Sequence, residues 1–217
     1  MSNEKISAVI FDMDGVIFDS ERITRIMWKK AAVEYKIDDV ETAVKDCTGR
    51  SVTDTWAYLN KKYGDDFPAK EFRQRCSVLF HLYVDENGLP LMHYAKEILA
   101  YLKTRPYHLA LASSTRTATV TKELKNAGLY DYFETVTCGD MLKHSKPAPD
   151  IYLMAAESLK VAPEECVAIE DSPNGIRSAF NAKMLPVMVP DQIQPDDEIK
   201  SMLYKNCSSL EELKSFL

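Results

Sequence analysis

The chain has 217 residues, 46% of them hydrophobic and 28% charged, with 27 Lys and Arg against 33 Asp and Glu and a net charge of −6. These figures exclude a disordered chain and disfavour a nucleic-acid binder held by a broad basic face, because phosphate backbones demand clustered Lys and Arg. No apolar run approaches the roughly 20 residues of a membrane helix, so no membrane partner is expected.

The first residues carry no basic region ahead of a long apolar stretch, so a cytoplasmic protein is expected. Five scattered cysteines argue against a disulfide framework and suit a reducing compartment. Residues 6–11 (ISAVIF) are short, β-branched and apolar, which reads as a buried strand of a parallel sheet. From Ser20 to about Tyr35 apolar residues recur at three and four spacing, with Ser20-Glu21 where an N-cap belongs. Residues 38–86 continue helically in three stripes: Val40, Ala43, Val44; Val52, Trp56, Leu59; and Phe72, Cys76, Leu79, Phe80, Tyr83. Gly49, Gly64 and Pro68 punctuate about four helices with no strand signal between them. Met27, Trp28, Trp56, Phe72 and Phe80 read as the core of this block.

After Asn87-Gly88-Leu89-Pro90 strands and helices alternate. Strands are predicted at 108–112, 135–138, 166–169 and 186–189, and helices at 93–103, 116–126, 149–159 and 174–181, with a closing helix at 210–216. This alternation predicts an α/β fold with a doubly wound, Rossmann-like parallel sheet. Its core takes residues 1–16 and 89–217, and an all-helical domain at 17–88 is inserted after the first strand.

Ligands of open α/β sheets lie at the carboxyl ends of the strands, and four such ends carry unusual residues. Asp12-Met13-Asp14-Gly15 places two carboxylates beyond the first strand, either a loop solvating itself or a site whose repulsion a cation relieves. A calcium loop fails, because its glycine belongs at position six and its bidentate Glu at twelve; here the fourth residue is Gly15 and the twelfth is Ile23. Ser113 and Ser114, where a strand runs into a helix, suit an anion site or a simple helix cap. Lys146, stiffened by Pro147 and Pro149, is either a surface lysine or a positioned charge, and His144 reads as an exposed loop residue. Glu170-Asp171 ends a further apolar strand ahead of a Pro-Asn-Gly turn. Beside Asp12 and Asp14 these two would build a carboxylate cluster for which Mg²⁺ is the natural guest.

Together FDMDGVIFDSE, ASSTR, KPAPDIY and IEDSPNG resemble the haloacid dehalogenase-like hydrolases, over nearly the whole chain. Within that superfamily the chain is similar to the helical-cap branch of β-phosphoglucomutases and small-sugar phosphatases. The resemblance implies that Asp12 is a nucleophile taking a phosphoryl group and Asp14 the general acid and base. It implies that Ser113 and the Ser114 amide hold phosphoryl oxygens and that Lys146 offsets charge. It assigns Mg²⁺ to Asp12, the Asp14 backbone carbonyl, Asp171 and, directly or through water, Glu170. Thr48-Gly49-Arg50-Ser51 resembles the cap loop that reaches substrate, making Arg50 a candidate to grip a distal group, unless it is merely solvated. Asp19, Ser20 and Glu21, near the expected hinge, are further candidates.

Two positions depart from the branch. Where the mutases carry a histidine twelve residues after the nucleophile, this chain has Thr24, which favours hydrolysis over mutase chemistry. Lys183 stands where the family usually has glycine before Met184. The expected function is a Mg²⁺-dependent phosphatase, expected as a monomer, acting on a small phosphorylated metabolite such as a sugar phosphate. The alternatives are a phosphosugar mutase and a non-catalytic binding module.

Overall fold

A computed structural model describes residues 5–48 and 52–217. The chain forms two compact units, one made by Met1–Asp19 with Leu89–Leu217 and the other by Ser20–Gly88.

The first unit is built on a six-stranded parallel sheet of β1 (Ala8–Phe11), β2 (His108–Ser113), β3 (Thr135–Cys138), β4 (Cys166–Glu170), β5 (Leu185–Met188) and β6 (Lys205–Asn206), in the order β3-β2-β1-β4-β5-β6. Strand β1 is central, and its four residues are fully buried because both faces are covered. The two faces differ in bulk. Val9, Phe11, Leu109, Leu111, Val167 and Ile169 share one core with α5 (Ala95–Lys103) and α6 (Thr117–Asn126). Ala8, Ala110, Ala112 and Ala168 pack with α7 (Asp150–Leu159) on the other. These small side chains leave room for Tyr152 of α7, which is fully buried.

The remaining helices of this unit are α8 (Pro173–Asn181) and α9 (Asp197–Met202). Sequence reading missed α9 and β6: α9 is only six residues long, and β6 is the polar pair Lys205-Asn206, which shows no alternation. The closing segment Leu210–Ser215 is a 3₁₀ helix rather than an α-helix. Lys183, at the departure noted above, adopts φ 62° just beyond α8, the left-handed conformation in which glycine commonly ends a helix.

Ile17 and Phe18, expected in the helical insertion, belong instead with Val16 to the α/β unit. They are buried with Val9 and Phe11, and the strand-like stretch they start pairs with the returning chain. Asp19 N–H donates to the Pro90 carbonyl and Met92 N–H to that of Ile17, both at 2.9 Å. The boundary therefore falls after Asp19 rather than Val16.

The helical unit comprises α1 (Ser20–Tyr35), α2 (Val40–Cys47), α3 (Val52–Tyr63) and α4 (Ala69–Asn87). Trp28, Ala43, Val44, Leu59, Phe72 and Cys76 meet in its core, where Phe72 takes edge-to-face contacts from Trp28 and Tyr35. Met27 is buried as well, while Trp56 and Phe80 are half-buried. Val52 is exposed; the inward face of α3 runs through Thr55 and Leu59 instead of the expected stripe. Among the described residues no helix is long and apolar enough to cross a membrane.

Candidate active site

Register places the candidate residues. Phe11 of β1 is level with Leu111 of β2 and Ile169 of β4, so Asp12 leaves the central strand between the ends of both neighbours. Its N–H donates to the Ile169 carbonyl at 2.9 Å, which carries the sheet one residue further. Beyond it the chain turns tightly: Ile17 and Phe18 N–H both donate to the Met13 carbonyl, and Gly15 N–H to that of Phe18. The turn requires φ 78° at Gly15.

Lys146 joins two of the strand ends. Its Nζ donates to Asp12 Oδ1 and to Glu170 Oε1, each at 2.5 Å, and more weakly to the Ala112 carbonyl at 3.4 Å. The loop carrying it follows the cis Lys146–Pro147 bond into α7 and is held from α8. The Ser178 hydroxyl donates to the Ala148 carbonyl at 2.6 Å and the Asn181 amide to that of Pro147 at 3.3 Å. Asp12, Glu170 and the Lys146 side chain are all nearly or wholly withdrawn from solvent, so the triad is a buried charge cluster.

That burial sets the protonation. Desolvation pushes the Asp12 carboxyl up to about 7; the Lys146 charge opposes the shift, while Glu170 and Asp14 add to it. Desolvation also works against the Lys146 charge, but Asp12 and Glu170 outweigh it and hold the ammonium above its ordinary range.

A hard divalent cation fits the donor set. Carboxylate oxygens of Asp12, Glu170 and Asp171 lie within 4.8 Å of one another and are the ligand type that such ions prefer. The backbone makes room for them. A Cβ on Gly15 would collide with the Asp171 carboxylate, and one on Gly175 with that of Glu170.

Asp14 reaches the site from the turn, where the Thr115 hydroxyl donates to its Oδ2 at 3.1 Å. Ser113 ends β2 fully buried and accepts the Thr115 N–H at 3.1 Å. Neither it nor Ser114 caps α6. The N-cap residue is Arg116, and the first helical amide, Thr117 N–H, donates to Asp140 at 3.0 Å. Ser114 is exposed beyond the strand, and Gly139 packs so closely on its carbonyl that a Cβ there would overlap it. His144 lies exposed, hydrogen-bonded to Asp150 at 2.9 Å, as a loop residue should.

The structure thus gathers Asp12, Asp14, Lys146, Glu170 and Asp171 at adjoining strand ends of one sheet, with Ser113 on the neighbouring strand. Ser20 is the first residue of α1 in the helical unit. Arg50 lies outside the described residues. The helical unit has its own cavity of about 190 Å³, lined among others by Thr24, Trp28, Thr48, Thr55 and Arg73. Arg73 stacks over the Trp28 ring at 4.6 Å.

Three contributors escaped the sequence reading: Thr115, Tyr152 and Ser172. The Tyr152 hydroxyl donates to Glu170 Oε1 at 2.7 Å, and the Ser172 hydroxyl to Oε2 at 3.1 Å. Ser172 also caps α8 by accepting the Gly175 N–H at 3.1 Å. All three lie inside the motifs already singled out, ASSTR, KPAPDIY and IEDSPNG.

A family model described as a haloacid dehalogenase-like hydrolase matches residues 6–183. The phosphorylated carbohydrates phosphatase of Thermotoga maritima is 30% identical, over 82% of this chain and 82% of its own length. Fructose-1-phosphate phosphatase YqaB of Escherichia coli K12 is 30% identical over 83% of this chain and 95% of its own. Hexitol phosphatase B of the same strain is 30% identical over 96% and 95%. Among solved structures, a HAD family hydrolase from Deinococcus radiodurans R1 with bound phosphate and sodium superposes with a TM-score of 0.82 at 27% identity, covering 98% of this chain and 95% of that one. The β-phosphoglucomutase of Clostridium difficile gives 0.72 at 26% identity, covering 96% and 93%.

Proposed function

The chain belongs to the haloacid dehalogenase-like hydrolase family and is a phosphatase of it; we propose that it hydrolyses a small phosphorylated carbohydrate through a phosphorylated Asp12. The observation that carries this reading is the Lys146 ammonium held 2.5 Å from Asp12 Oδ1 in a buried site. A buried carboxylate with one fixed cation beside it and an acid two residues away suits attack on a phosphate ester. The carbohydrate class rests on the relatives named above.

In this mechanism the ionised Asp12 carboxylate attacks phosphorus, and the bond from phosphorus to the ester oxygen breaks. Asp14 gives its proton to the departing oxygen, so the product leaves as an alcohol. The now ionised Asp14 then takes a proton from water as that water attacks the phosphorylated Asp12, releasing inorganic phosphate and restoring both carboxyls. Asp12 needs its proton removed before attack; Lys146 opposes burial on this point. Ser113 and the Ser114 amide hold the phosphoryl oxygens. Mg²⁺ would be held by Asp12, Asp171, Glu170 and the Asp14 carbonyl, and when bound it offsets the repulsion between carboxylate and phosphate.

A phosphosugar mutase is the second reading, favoured by the likeness to a β-phosphoglucomutase structure. Against it stands Thr24, which offers no imidazole to the cavity it lines. Phosphate release with Mg²⁺ over sugar phosphates, polyol phosphates and nucleotides separates the readings, with Asp12→Asn as control. Rapid release from a hexose or hexitol phosphate, lost in Asp12→Asn, is expected. Faster isomerisation that needs a bisphosphorylated sugar would establish the mutase, and release by Asp12→Asn at the wild-type rate would remove Asp12 as nucleophile.

A further inference from the structure

We propose that Tyr152 is a positioning residue for this reaction: it fixes the orientation of the Glu170 carboxylate between Lys146 and the cation site. The inference rests on the phosphatase reading above.

The donors around Glu170 are divided. Oε1 accepts from Lys146 Nζ at 2.5 Å and from the Tyr152 hydroxyl at 2.7 Å, which together occupy both of its lone pairs. Oε2 accepts only from Ser172, its hydroxyl at 3.1 Å and, more weakly, its N–H at 3.5 Å. Glu170, with Asp12 and Asp171, would help hold a cation, and Oε2, which carries the weaker donors, would be the oxygen free to turn toward it.

Lys146 alone does not impose this division, because an ammonium is a point charge on a flexible stem and either carboxylate oxygen satisfies it. Tyr152 does impose it. Its ring is fully buried on α7, locked among alanines of the sheet, and its hydroxyl has one orientation toward Glu170. The same ring lies 5.1 Å from Lys146 Nζ, so its face meets the ammonium while its hydroxyl holds the ammonium's acceptor. The space into which Glu170 is pressed exists only because residue 175 has no side chain. Rotation of the carboxylate by half a turn exchanges two equivalent oxygens and changes nothing, but smaller swings would misdirect both the oxygen that Lys146 meets and the more weakly held one. The tyrosine hydroxyl removes those swings.

Through Lys146 the effect reaches Asp12. The ammonium is shared between two carboxylates at equal distances, so a shift of Glu170 moves the position of the ammonium beside Asp12. Tyr152 touches neither Asp12 nor the position of a reacting atom.

Tyr152→Phe deletes the hydroxyl and keeps the ring, and Tyr152→Met fills the space without either. Mn²⁺ binding to the metal-free protein, read by the electron paramagnetic resonance of the free ion, needs no substrate. We expect Tyr152→Phe to weaken Mn²⁺ and lower kcat by about tenfold each, the effect typical of a residue that orients a metal ligand. KM should stay within twofold and the melting temperature within a few degrees. Tyr152→Met should lose at least as much. Mn²⁺ affinity and kcat within twofold of wild type in Tyr152→Phe would overturn the proposal, as would a loss matched by a fall in melting temperature with unchanged Mn²⁺ affinity of the folded protein. If the wild type releases no phosphate from any ester, the phosphatase reading fails; the Mn²⁺ titration still decides whether Tyr152 orients Glu170.

Discussion

Gly15 and Asp171, far apart in the chain, compete for the same space: a Cβ at position 15 would collide with Oδ2 of Asp171. The turn beyond β1 and the end of β4 are thus fitted to one another through a missing side chain. Gly15→Ala must both displace Asp171 and hold an alanine at φ 78°, a conformation that costs an L-residue about 1–2 kcal/mol. We expect a loss of at least about tenfold in Mn²⁺ affinity, since an acidic ligand of the cluster is pushed aside, with phosphate release falling in parallel. A titration and a rate equal to wild type would show that Asp171 need not stay where it is.

Lys146 compensates two buried carboxylates at once, so its removal is a test of their charge. In Lys146→Met, Asp12 and Glu170 face each other without a counter-ion, a situation that costs about 3–5 kcal/mol, or roughly 10 °C in melting temperature for a domain of this size. The cost depends on pH in a defined sense. The folded Asp12 carboxyl is already pushed up to about 7, above its value in an unfolded chain, and the variant raises it further. The native state then binds a proton that the unfolded state has lost, so stability falls as pH rises through that interval. Melting of Lys146→Met should drop steeply between pH 5 and pH 8 in metal-free buffer, with added Mg²⁺ recovering part of the loss. Equal melting at both pH values would mean that the carboxylates are not in contact when charged.

How much of this was legible in the sequence follows from where the information resides. Short apolar stretches ending in Asp12, Ser113 and Glu170 mark strand ends directly, because a buried strand and a polar loop differ so sharply in composition. The parallel sheet then brings those ends together without further detail. What sequence could not disclose is the pairing among long side chains: that Glu170 divides its oxygens between Lys146, Tyr152 and Ser172 depends on α7 lying against a face of alanines. Tyr152 is also a core aromatic of α7, a role that gives no hint of its hydrogen bond to Glu170. The boundary of the helical insertion falls later than expected because Ile17 and Phe18 are equally apolar whether they begin a helix or pair with residues 90–92. Lys183 shows the converse. The departure was visible as a residue type, and its left-handed backbone shows that the conformation expected of glycine is kept.

Glu123 offers a test of burial that leaves the proposed chemistry untouched. It lies on α6, only 5% exposed, and desolvation pushes its carboxyl up to about 7, with the Asp14 charge adding to the shift and Lys122 opposing it. The unfolded carboxyl loses its proton near the ordinary value for glutamate, about 4.3. Between that value and 7 the native state binds more protons than the unfolded state, so Glu123 lowers stability as pH rises across the interval and its cost is fully present above it. Glu123→Gln keeps the shape and removes the titration. The variant should melt above wild type at both pH values, with the gap widening by several degrees from pH 5 to pH 8 as the linkage cost of Glu123 grows. Parallel melting curves from pH 5 to pH 8 would show instead that the Glu123 carboxylate is charged and accommodated in the folded protein.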